Sequence, residues 1–261
     1  MKNNYLFSFN TPCPTYSNKV VSLNNVGKWL RYHKSKISNT YKDNLKDLFI
    51  PEASVKLKSA WIVFKLYRHN KRVLDSDNLG FIIKWTIDAI KEQGWLIDDN
   101  QITYTVFPSV LDKELEETQV SVEFFESFDP SILDNLKEHF TFNTPCPTYS
   151  NKVVSLNNIG KWLRYHKSKI SNTYKDNLKD LFIPDNKVAS LSKAHILFYL
   201  NRHNKRVLDS DNLGIIIKWT IDAIKEQNWL IDDDKVIYTV FPSVLDKELE
   251  ETQLKVSFNS F

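Results

Sequence analysis

Apolar residues recur at Leu79, Ile82, Ile83, Ile87 and Ile90, the spacing of one helix face, so residues 78–93 are expected to form an amphipathic helix. Asp77 or Asn78 suits its N-cap. Gly94 follows it and Asn228 stands at the matching place further on; these two residue types best tolerate a left-handed C′ position. Residues 55–67 (VKLKSAWIVFKLY) are rich in β-branched and aromatic side chains and read as a strand, as do 101–107 and 119–124. A short strand over 5–9 is broken at Pro12-Cys13-Pro14, and 25–38 and 40–49 read as two helices. The Leu/Ile face of 78–93 is core and needs no cofactor to explain it. Trp29, Trp85 and Trp95 are expected in the core or at an interface.

The pattern occurs twice. Residues 10–51 return at 143–184 with one difference, Val26 against Ile159. Residues 69–80 equal 203–214, and 105–119 equal 239–253. Only 52–68 and 185–202 differ strongly. So long a repeat fits two whole domains rather than a solenoid. The expected architecture is α+β: copies over 1–125 and 139–261, a linker over 126–138, and in each copy a small mixed sheet packed on helices.

The 261 residues are 42% hydrophobic, ample for packed cores, with a formal net charge of +3 and a pI of about 8.6. This mild basicity is compatible with an anionic partner but does not demand one. The N-terminus lacks an apolar signal region, and no segment approaches the ~18 apolar residues of a membrane span. Cys13 and Cys146 form neither a CxxC pair nor a zinc motif, so reduced thiols in a soluble, cytoplasmic protein are expected. No Gly-rich phosphate loop is present.

The segment Arg72-Val-Leu-Asp-Ser-Asp-Asn78 recurs at Arg206–Asn212. In an extended chain Asp75 and Asp77 point to one side. Asp98 and Asp99 return after the helix. Carboxylates so gathered would repel unless a cation such as Mg²⁺ neutralised them. The plainer alternative is a helix cap followed by a turn. Lys28, Arg31, Lys34 and Lys36 lie among aromatic residues, and Lys71 and Arg72 lie beside the acids; Lys161, Arg164, Lys167, Lys169, Lys205 and Arg206 repeat them. Cations around an acid cluster suit a nucleic acid. The alternative is an ordinary solvated helix face.

These elements together resemble the RusA family of phage-type Holliday junction resolvases. The resemblance rests on Pro12-Cys-Pro-Thr-Tyr-Ser-Asn18, Tyr41-Lys-Asp-Asn44, Lys71-Arg-Val-Leu-Asp-Ser-Asp-Asn78, and Lys84 with Asp88 and Asp98-Asp99. It implies a Mg²⁺-dependent endodeoxyribonuclease (Mn²⁺ as a substitute) that cuts four-way DNA junctions in recombination and repair. The family's metal ligands fall on Asp75, Asp77 and Asp99, and in the second copy on Asp209, Asp211 and Asp233. Its catalytic lysine falls on Lys84 and Lys218. The lysine stands six residues after Asn78, where the family has three; Phe81 and Ile215 occupy the family's spacing. The family works as homodimers, so the repeat implies a pseudo-dimer within one chain. The alternatives are a non-catalytic junction-binding protein of the same fold, and a nuclease directed at RNA or flaps.

Overall fold

The structure is a computed structural model, which describes residues 4–17, 19–26, 31–70, 75–98, 101–159, 164–185, 190–204, 209–232 and 235–261. The first half contains β1 (Tyr5–Pro12), β2 (Thr15–Tyr16), β3 (Lys19–Val20), α1 (Leu23–Val26), α2 (Arg31–Leu48), β4 (Ala60–Arg68), α3 (Gly80–Glu92), β5 (Ile102–Leu111) and β6 (Gln119–Phe125). The second contains β7 (Lys137–Pro145), β8 (Thr148–Tyr149), β9 (Lys152–Val153), α4 (Arg164–Leu181), β10 (Ala194–Arg202), α5 (Gly214–Glu226), β11 (Val236–Val240), β12 (Val244–Leu245) and β13 (Gln253–Ser260). The class is α+β.

The two copies do not form two separate small sheets. Among the described residues one nine-stranded sheet runs β1-β6-β4-β5-β11-β10-β13-β7, with β12 beside β10. The halves join where β5 meets β11 antiparallel, with Thr105 opposite Thr239 and Tyr104 opposite Val240. Thr105 and Thr239 are the same residue of the repeat. A residue that faces its own counterpart marks a two-fold relation between the halves. Pairing β5 with β11 also covers what would otherwise be two open strand edges.

Within each half β4 and β5, or β10 and β11, are parallel and joined through α3 or α5. Ile62, Phe64 and Leu66 of β4 face the helices together with Tyr104 and Val106 of β5. Ile82, Ile87 and Ile90 of α3 are fully buried against them. Each such side chain contributes about 1.5–3 kcal/mol. That exceeds the ~1 kcal/mol of a side-chain cap, and α3 indeed has none: Leu79 holds the N-cap position without a side-chain bond. The expected cap residues Asp77 and Asn78 lie instead in a 3-10 turn, Ser76–Asn78. Gly94 and Asn228 do adopt the left-handed conformation, with φ of 87° and 61°.

Other element bounds move. Residues 38–40 do not divide two helices, because α2 continues through them. The strand read over 55–67 begins only at Ala60, where its partner begins: Ala60 pairs with Ile102. Before that point Leu57 makes an isolated bridge to Leu96.

The eleven residues between β6 and β7 (126–136) cross six strand spacings, about 29 Å. Eleven residues reach at most ~36–40 Å, so the connection has little slack, and it coils in a short 3-10 turn, Pro130–Leu133. It crosses the sheet face opposite the helices, where the Phe128 ring packs at 5.5 Å from Trp61 and 5.3 Å from Phe241.

Candidate functional site

Asp75 has extended backbone and ends the loop that leaves β4. Its half-exposed carboxylate accepts a hydrogen bond from Arg68 Nη1 at 2.9 Å, the guanidinium being buried at the end of β4. Arg202 holds Asp209 in the same way at 3.1 Å. The sequence reading missed both arginines, which lie in the stretches where the copies differ; their shared place at the ends of 52–68 and 185–202 was the available signal.

Asp77 is 2% exposed. Its Oδ1 accepts from Asn78 Nδ2 at 2.8 Å. Its Oδ2 accepts from Lys218 Nζ at 2.7 Å, and Lys218 belongs to the other half. Reciprocally, Lys84 Nζ donates to Asp211 Oδ2 at 2.7 Å. Each lysine also reaches the aspartate one turn along its own helix, Asp88 or Asp222, at 3.3 Å. The pairs are therefore composite, Asp77 with Lys218 and Asp211 with Lys84, while Asp75 and Asp209 are held by Arg68 and Arg202 of their own halves. Burial acts to lower the Lys84 ammonium, but the Asp211 and Asp88 carboxylates outweigh it and hold its pKa above the ordinary value; Lys218 behaves alike with Asp77 and Asp222.

The crossing follows from the helix starts. Gly80 and Gly214 touch backbone to backbone: a Cβ on Gly214 would lie 2.9 Å from the Cα of Gly80. Only glycine allows this approach. It brings the first turns of α3 and α5 side by side and lets each lysine reach the opposite acid turn. Tyr104 and Tyr238, buried at the seam, point their hydroxyls at the carbonyls of Ser210 and Ser76, again each in the opposite half.

Asp98 lies at the other end of its own half. It precedes β5, whose Ile102 is level with Ala60, and it pairs with Lys91 at 3.2 Å. Ala60 and Arg68 are eight residues apart on one strand, roughly 26 Å. Because the halves run antiparallel, the start of β5 is directed toward the Arg202 end of β10.

Asp99, Asp233, Lys28, Lys71, Arg72, Lys161, Lys205 and Arg206 lie outside the described residues. Among the described residues there is no group of three or more His, Cys, Asp or Glu side chains able to hold a metal. The donor chemistry nevertheless suits a hard cation: Asn78, whose amide bonds the Asp77 carboxylate, keeps an Oδ1 that is buried with no hydrogen-bond partner among the described residues, as does Asn212. Of the expected DNA-contacting residues, Lys36 and Lys169 are exposed on α2 and α4. Lys34 turns inward, donating to the Leu156 carbonyl at 3.2 Å and lying over the Phe81 ring at 4.2 Å. Lys167 is partly buried, which lowers its pKa, and lines a cavity of about 280 Å³ between the halves with Ile215. Arg31 and Arg164 open α2 and α4. Trp85 is core and Trp95 packs at its margin, while Trp29 is outside the described residues. No helix among the described residues is long and apolar enough to cross a membrane.

No protein-family model matches the chain, and no curated protein matches it.

Proposed function

We propose that the chain is a Mg²⁺-dependent endodeoxyribonuclease of RusA type, cutting four-way DNA junctions with two composite sites in one pseudo-dimer. The observation that carries this reading is the reciprocal lysine–aspartate pair, which joins basic and acidic groups from opposite halves twice about a two-fold relation. A junction has matching symmetry, and its resolution requires two matched nicks. In each site the two aspartates and the asparagine oxygen would hold the ion, and the resemblance adds Asp99 and Asp233 as the third carboxylates. When bound, the ion supplies charge to the scissile phosphate and a nucleophilic water at neutral pH. Lys218, and Lys84 in the other site, would orient the phosphate and offset its growing charge. The exposed Lys36 and Lys169 offer phosphate contacts.

A second reading is a junction-binding protein without turnover. It is favoured by the burial of Asp77 and Asp211, whose oxygens are engaged by lysine and asparagine. A synthetic four-way junction with Mg²⁺ separates the two: tight binding with no nicks from the unaltered protein would establish the binder. Double variants then test the composite arrangement. Asp77→Asn with Lys218→Met damages one site only and should leave single nicks. Asp77→Asn with Lys84→Met damages both and should leave none. The opposite ranking would place each lysine in service of its own half.

A further inference from the structure

At the centre of the seam, on the face away from the helices, four side chains form a hydrogen-bonded row. Trp61 Nε1 donates to Thr105 Oγ1 at 3.0 Å, Thr105 Oγ1 meets Thr239 Oγ1 at 3.0 Å, and Thr239 Oγ1 meets His195 Nε2 at 2.8 Å. Both threonines are fully buried and His195 is 2% exposed. Trp61 and His195 occupy equivalent places, each pairing across to the parallel strand two residues before its threonine. The row thus begins in one half, crosses the two-fold relation and ends in the other, with unlike ends.

The chemistry fixes its direction. Indole can only donate, so Thr105 accepts at that end. The Thr105 hydroxyl proton is then best spent on Thr239, and the Thr239 proton on a bare His195 Nε2. In this order the indole and both hydroxyls find acceptors, and the one proton left without a partner among the described residues is that on His195 Nδ1. The reverse order strands the Thr105 proton, since Trp61 cannot accept it, and leaves Nδ1 bare as well. The reverse order therefore leaves two polar groups unmade against one, and a buried unmade hydrogen bond is costly.

We propose that the seam is a directional hydrogen-bond relay that runs from a donor-only Trp61 end in the first half to an acceptor His195 end in the second. The groups on the same face around His195 are Ile237 and Thr239 on β11 and Ser257 and Asn259 on β13, with the Phe261 ring stacked at 5.9 Å. Across β13, Glu138 accepts from Ser257 at 3.1 Å and from Thr141. Among the described residues no charged side chain bonds the imidazole.

The test follows the His195 imidazole by NMR in the full chain. In the unaltered protein the ring should be neutral, protonated on Nδ1 with Nε2 accepting; a proton resident on Nε2 overturns the proposal. Trp61→His supplies an acceptor at the far end and allows the row to reverse, so the His195 pKa should rise by about one unit or more. Trp61→Phe, of similar size but without an acceptor, should not produce that rise. An equal rise in both variants, or in neither, overturns the relay.

Discussion

Lys218 and Asp77 are distant in sequence yet form a nearly buried ion pair, and removing one partner leaves the other charge stranded. Lys218→Met should therefore cost about 3–5 kcal/mol in urea denaturation, and Asp77→Asn added to it should recover much of that loss. His195 behaves differently. Burial pushes its pKa down to about 4, while the unfolded chain titrates near 6.5. The unfolded state thus takes the proton first. Stability should be full above about pH 6.5, fall as the pH drops toward 4, and level off below, a loss of about 3 kcal/mol in all. His195→Gln should flatten that slope in denaturation curves taken across this range. The two thiols are free and buried, and burial pushes Cys146 up to about 12. Neither should react with a thiol reagent until the protein is unfolded.

At the scale of elements, α3 and α5 pack through Gly80 and Gly214. Gly214→Ala should displace one helix start from the other, costing about 1–3 kcal/mol and weakening both lysine–aspartate pairs, measurable by thermal melting and by nicking rate. The sequence made α3 legible because its apolar period is long and regular. It also made the Gly94 and Asn228 helix ends legible, because few residues adopt that backbone. The break expected within α2 had no physical basis beyond Ser38-Asn39-Thr40, three weak helix formers that tertiary packing overrides. Asp75 and Asp77 were legible as chemistry because acids so closely spaced are costly. Their true neighbours were not: Lys218 reaches Asp77 only because a glycine contact aligns two helices that no local pattern relates. The cap role read for Asp77 failed for the same reason.

Among the described residues the two halves share one nine-stranded sheet, strapped across its open face by residues 126–136. Phe128→Ala should loosen that strap and speed amide exchange in β5 and β11 beyond any change at the outer strands. A homodimer has one gene for both sides of its axis, so every substitution there appears twice and a matched pair can never become unlike. Fusing the copies lifts that restriction. Position 61 carries an indole where 195 carries an imidazole, and position 81 a phenyl ring where 215 carries a smaller aliphatic group. Each flank of the molecule is thereby free to specialise by single steps, one binding surface changing while its twin holds the original form.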